Sequence, residues 1–208
     1  MSFLGSSTSF TRFTINDAIP EDFWSSILDK LKQFAFHDID DLPEERSFGW
    51  VSFDDMLDSE WESGSPYKGN VLAFALRLDT RRIPAGVVKK HTLMAYKQEL
   101  QKLAEINKTF IARERKKEIK EEILLKLRQR FLPVPAIFDV IWLSDKNEVW
   151  FGSTQSKMID LFIEYFHQSF GFNLEQLRPV ALAQKYLDED TALRLETLEE
   201  TQFVVPGA

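Results

Sequence analysis

RERKKEIKEEILLKLRQR, residues 113–130, carries eight basic and four acidic side chains, while Ile119, Ile123 and Leu127 recur every four residues through it. That spacing places the apolar positions on one face of a helix. The residues before it supply a second stripe: residues 87–107 are mostly good helix formers, and within them Leu93, Tyr96, Leu100 and Leu103 alternate three and four apart. Pro84 stands where a first helical turn tolerates proline, and Pro133 and Pro135 end the second helix. The two segments predict an antiparallel helical hairpin turning within residues 107–113, its stripes buried against each other or against a partner.

Outward from the hairpin, the patterns become those of strands and short helices. Residues 9–15, SFTRFTI, alternate as a half-buried strand does, and residues 21–34 place Phe23, Ile27, Leu31 and Phe34 at helical spacing. FGWVSF from Phe48 and VLAFALRL, residues 71–78, read as two more strands. Beyond the hairpin, residues 136–153 read as a β-hairpin around the turn SDKN. Residues 155–170 form a helix with Ile159, Phe162, Ile163 and Phe166 on its apolar face and Gly171 as its stop. LRPVAL, residues 177–182, suggests an edge strand because of Pro179. The expected fold is α+β, with antiparallel sheets and packed helices in two similar β-α-β-β-like halves interrupted by the long projecting hairpin. Residues 1–80 and 134–187 form the body, 81–133 the inserted basic hairpin, and 188–208 an acidic tail.

Charge follows this division. Residues 77–130 hold 16 Lys and Arg against 7 Asp and Glu, a net of +9, within a chain whose formal net charge is -7. A basic insertion on an acidic body points to a polyanionic partner. With 208 residues and 18 Phe, the chain can bury a substantial core as one domain or one domain with an insertion. No run of eighteen apolar residues and no apolar stretch of signal-peptide length near the start is present, so a membrane span is not expected and a cytoplasmic location is. The chain has no Cys and only His37, His91 and His167, which leaves little thiolate or imidazole chemistry. No cofactor is expected.

Lys89, Lys90, Lys97, Lys102, Lys108, Arg113, Arg115, Lys116, Lys117, Lys120, Lys126, Arg128 and Arg130 are the candidate nucleic-acid contacts, since cations in rows along a projecting helix match an array of phosphates. The competing reading is a solvated face in which Glu114, Glu118, Glu121 and Glu122 pair with neighbours three or four positions away. Asp38, Asp40 and Asp41, or Asp54, Asp55 and Asp58, could hold Mg²⁺ for phosphodiester cleavage, but acids in loops more often build turns. Trp50, Phe53, Trp61, Phe138, Trp142, Trp150 and Phe151 could stack on bases; alternation favours the core for most, with Trp61 and Phe131 the least obviously buried.

The sequence resembles the recombination-associated protein RdgC family, a bacterial family also labelled as an exonuclease, over residues 10–182. The marks are Phe48-Gly49-Trp50-Val51, Ile83-Pro84-Ala85-Gly86-Val87-Val88-Lys89, and Lys117-Glu118-Ile119-Lys120-Glu121-Glu122-Ile123 leading to Phe131-Leu132-Pro133. Trp142-Leu143-Ser144 and Leu177-Arg178-Pro179-Val180 follow in order. The resemblance implies a DNA-binding protein that limits recombinase loading, a homodimer whose subunits close a positively charged ring around duplex DNA, and a hairpin tip used in dimer contact. Lys89 and the Lys116, Lys117, Lys120 cluster occupy the matching basic positions. Full-length members continue into a further C-terminal domain, so a short member is expected. The family's longer basic and aromatic segment after Leu132-Pro133 is here the short Val134-Pro135-Ala136, and a DNA contact there is not carried over.

The expected function is non-sequence-specific DNA binding without catalysis by a nucleoid-associated cytoplasmic homodimer. The alternatives are a metal-dependent exonuclease and a protein-interaction module of phage origin that docks an acidic partner.

Overall fold

A computed structural model of the chain describes residues 3–184 and 186–197. Strand β1 (Thr11–Ile15) is followed by a 3-10 turn (Glu21–Ser26), helix α1 (Ile27–Gln33), and strands β2 (Arg46–Ser52), β3 (Tyr67–Lys68) and β4 (Val71–Thr80). Helices α2 (Ala85–Glu105) and α3 (Arg113–Arg128) come next, then β5 (Val134–Leu143), β6 (Glu148–Phe151), α4 (Ser156–Phe170), β7 (Leu174–Gln176), α5 (Pro179–Gln184) and α6 (Glu189–Glu196). The strands form one seven-stranded antiparallel sheet in the order β2-β4-β5-β6-β1-β7, with β3 on the first residues of β4. The α+β class is as expected. The two halves, however, share one sheet, because β1 lies between β6 and β7.

One face of the sheet carries the core. Alternation along β4 turns Leu72, Phe74 and Leu76 to this face, β5 adds Val140 and Trp142, and α4 lays Phe162, Phe166 and Phe170 over them. Trp50, Trp142, Phe13, Phe74, Phe151, Phe162 and Phe166 are fully buried, each contributing about 2 kcal/mol by leaving water. Phe151 and Phe162 stack with centroids 4.1 Å apart. The indole N–H of Trp50 donates to Ser169 Oγ at 2.8 Å, which in turn donates to the Tyr165 carbonyl, so this buried indole has its polar atom satisfied. The helix ends at Gly171, whose φ of 83° is the left-handed conformation that glycine adopts freely.

The strand expected at residues 177–182 is not there. The strand is β7, and Pro179 instead opens helix α5, where its fixed φ and missing N–H suit the first turn as well as they would suit a sheet edge. Residues 189–196 of the acidic tail are helical, capped by Asp188, which accepts from the Thr191 N–H at 2.9 Å. The final FVVPGA lies outside the described residues. No helix among the described residues is long and apolar enough to cross a membrane.

The segment after α1 passes over β2. Phe36 N–H donates to the Trp50 carbonyl at 3.0 Å and Trp50 N–H to the Phe34 carbonyl at 3.0 Å, a short parallel bridge beside the edge strand. Tyr165 reinforces the crossing by donating its hydroxyl to the Phe34 carbonyl at 2.7 Å. Burial pushes the Tyr165 phenol up to about 12. A phenol raised above its unfolded value of about 10 adds stability that is complete below about pH 10 and is lost as pH rises toward about 12. Urea unfolding across that range is expected to show a decline that Tyr165→Phe makes shallower, at a cost of about 1 kcal/mol near neutrality from the lost hydrogen bond. An equal decline in both proteins would show that Tyr165 does not carry it.

Candidate nucleic-acid interface

The helical pair α2 and α3 connects β4 to β5, which are themselves neighbours in the sheet. At 21 residues, α2 is about 31 Å long at 1.5 Å per residue. The pairing is antiparallel: the Tyr96 hydroxyl meets the Lys116 carbonyl at 3.2 Å, and Arg115 Nε donates to Glu99 at 2.8 Å. Ile119 and Leu127 are buried and Ile123, Tyr96 and Leu103 half-buried, so α3 contributes most of the seam. No residue of α2 is buried, and Leu93 and Leu100 are 51% and 40% exposed. At about 100° per residue those two flank the row Thr92, Tyr96 and Leu103, Leu93 on the rim of a groove it shares with Tyr96, and with Met94, 49% exposed, they leave apolar surface open to solvent.

The cations are sorted around the helices. Lys89, Lys90, Lys97, Lys102, Lys108, Arg113, Lys116, Lys117, Lys120, Lys126 and Arg130 are exposed. Arg115 and Arg128 are half-buried and spent on internal pairs: Arg115 contacts Glu99, Glu118 and Glu122 at 2.8, 2.9 and 3.1 Å, and Arg128 contacts Glu45 at 2.6 Å. The hydrogen bond from Arg115 holds the Glu99 carboxyl below the usual range. Lys117 is loosely paired with Glu121 at 3.8 Å.

With about 100° of turn per residue, Lys116, Lys120, Arg113 and Lys117 fall on one flank of the α3 seam, and Glu114, Glu118, Glu121 and Glu122 on the other. On the basic side a groove of about 620 Å³ brings Lys120 of α3 together with Val88, Lys89, Leu93 and Tyr96 of α2. Beside it Lys89, Lys90, Leu93, Met94 and Lys97 line a second hollow. On the far side Glu118, Glu121, Glu122 and Leu125 share a third. The hairpin thus has a basic, partly apolar face and an acidic one. Lys102 and Lys126 project away from the groove, Lys108 sits in the connecting turn, and Arg130 follows the helix.

The loop acids build turns. Asp38 accepts from the Asp40 N–H at 2.7 Å, Asp55 from the Leu57 N–H at 2.9 Å, and Asp54 pairs with Lys68. Asp58 accepts from the N–H groups of Glu60, Glu62 and Ser63 and from the Ser63 hydroxyl. Burial pushes the Asp58 carboxyl up, but these donors together hold it below its ordinary value. Among the described residues no three His, Asp or Glu converge in a way that could hold a metal ion.

The aromatic candidates stay with the body. Trp50, Trp142 and Phe151 are fully buried, and Phe53, Phe131, Phe138 and Trp150 are half-buried. Trp61, expected to be among the least buried, is only 8% exposed, because the Asp58 turn and its own left-handed φ of 56° fold the indole into the aromatic core. Trp150 stacks on Phe10 with centroids 5.2 Å apart. It pairs with Ile141, seven residues along β5 from Val134 at the hairpin root, or about 23 Å.

Sequence reasoning treated Arg81 only as one charge among many, yet it organises the root of the hairpin. The residue is 3% exposed, and its guanidinium donates to five main-chain carbonyls: Phe131 from Nε, Leu42 and Glu44 from Nη1, and Ile39 and Asp40 from Nη2, at 2.5 to 3.1 Å. Nothing in the local pattern of two successive arginines distinguishes it from Arg82, which is exposed.

No curated protein matches the chain. The family model described as "Putative exonuclease, RdgC" matches residues 11–190, a span that takes in the sheet, the hairpin and α4. A match over that much of a 208-residue chain shows that it belongs to the RdgC family of recombination-associated proteins.

Proposed function

We propose that the chain binds DNA without sequence preference through the basic face of the hairpin, limits the access of recombinase by occupying that DNA, and does so without catalysis. The observation that carries this reading is the sorting of charge: Lys89, Lys97, Lys116 and Lys120 share a face with no exposed acid beside them, while the glutamates of α3 lie opposite. Cations arranged as mere solubilising charge would be interspersed with acids. Phosphates would meet the lysines, whose single charged ends position a duplex without reading its sequence.

The strip of Leu93, Met94 and Leu100 supports a homodimer formed through the hairpins, with the lysines at its rim. A cytoplasmic, nucleoid-bound location follows from the same reading. The family description keeps an exonuclease in view, and one experiment addresses both activities. Two unrelated linear duplexes, incubated with the protein and Mg²⁺ or Mn²⁺, are expected to bind with equal affinity and remain intact. Strong discrimination between the duplexes would overturn the indifference to sequence, and degradation abolished by Asp40→Ala or Asp55→Ala would establish the nuclease.

A further inference from the structure

We propose that Arg81 is a positioning residue: with the strap of residues 36–45 that it gathers, it fixes the angle at which the hairpin leaves the sheet. The hairpin has two roots, one after β4 and one before β5, and Arg81 stands at the first and reaches Phe131 near the second. A guanidinium has five N–H donors in a rigid plane. Here all five are taken by carbonyl oxygens from the strap and the second root. The Arg81 main-chain N–H adds a bond to the Glu45 carbonyl at 2.8 Å. None of its hydrogen-bond acceptors is a carboxylate, so the geometry of the fork holds the three segments together.

The strap is fixed at both ends. At its start Arg77, two positions along the same face of β4 from Asp79, pairs with that carboxylate at 2.7 and 2.8 Å and lies over the Phe36 ring at 4.1 Å. At its end Glu45 pairs with Arg128 on the last turn of α3. Body, strap and hairpin are therefore tied at residues 81, 131 and 128, and loosening those ties would let a helix pair of about 31 Å swing while its helices stay intact.

The consequence for DNA rests on the function proposed above; the angle itself does not. The chain has no cysteine, so Thr109→Cys at the hairpin turn and Glu164→Cys on α4, both exposed, place one pair of spin labels in each chain, and dilution with excess unlabelled cysteine-free protein isolates the distance within one chain. The wild-type background is expected to give one narrow distance distribution. Arg81→Lys keeps the charge and loses the fork, so it is expected to broaden that distribution at least twofold with helical circular dichroism unchanged, and to weaken duplex binding several-fold although every exposed lysine remains. A folded Arg81→Lys protein with a distribution of wild-type width overturns the proposal. Should Arg81→Lys fail to fold, Arg81→Gln, which keeps a planar pair of N–H donors but not the five-donor fork, is read in the same way: broadening supports the proposal, and wild-type width overturns it. A wild-type protein that binds no DNA would instead overturn the DNA reading and leave the distance result standing.

Discussion

Gly49→Ala is expected to destabilise the protein by about 3 kcal/mol or more, the largest effect we anticipate from adding one methyl group. An alanine Cβ at this position would lie 2.4 Å from both the Cα and the N of Phe36 and 2.6 Å from the carbonyl carbon of Ala35. All three are main-chain atoms, so no side chain can rotate aside. The segment must lift from β2, which breaks the hydrogen bonds between residues 34–36 and Trp50 and disturbs a fully buried indole. For a chain of this size, that loss corresponds to a fall in Tm of roughly 6–12 °C. Gly86→Ala is the control, since nothing lies within 4 Å of its added methyl; it sits in the first turn of α2 and is expected to be neutral or stabilising by up to about 1 kcal/mol. Equal thermal midpoints for Gly49→Ala and the wild type would show that the strap does not cross β2 as described.

Reversal of Lys89, Lys116 and Lys120 to Glu is expected to weaken duplex binding at least about 100-fold while leaving the fold intact. All three are exposed, and Lys89 and Lys120 line the same groove. Glu is nearly as good a helix former as Lys, and exposed substitutions of this kind change stability by about 0.5 kcal/mol or less each. Reversal of Arg115 would give a misleading answer, because that side chain ties α2 to α3 through Glu99 and its loss disturbs the scaffold itself. Lys102 and Lys126, which project away from the groove, supply the comparison: a Lys102→Glu, Lys126→Glu protein is expected to retain most of its affinity. Equal losses in the two sets would mean that net charge, rather than the basic face, governs binding.

The hairpin was the most legible part of the chain, since Pro84 and Pro133 punctuate it and the four-residue period of Ile119, Ile123 and Leu127 needs no tertiary information. The glycine stop of α4 and the alternation of β1 were legible for the same reason. Periodicity could not tell which flank of a weakly amphipathic helix would be covered, so Leu93 and Leu100 read as seam residues although they face solvent. Nor could it supply the pairing of β1 with β6 and β7, which brings together residues more than 130 apart, or decide between helix and edge strand at Pro179. The roles of Gly49 and Arg81 come from the strap passing over the sheet, and a long-range crossing of main chain leaves no local signature. Charge segregation on α3 was present in the sequence as a pattern. It became informative only once the burial of Ile119 and Leu127 fixed which way each flank points.

If the exposed lysines of one hairpin face meet DNA phosphates, the salt dependence of duplex affinity must differ between the wild type and the Lys89, Lys116, Lys120 reversal. Each phosphate neutralised contributes about 0.9 to the slope of log K against log salt. A steep negative slope is expected for the wild type, becoming shallower by roughly 2.7 in the triple variant, with circular dichroism unchanged. A wild-type affinity indifferent to salt, or a folded triple variant with the wild-type slope and affinity, would contradict it.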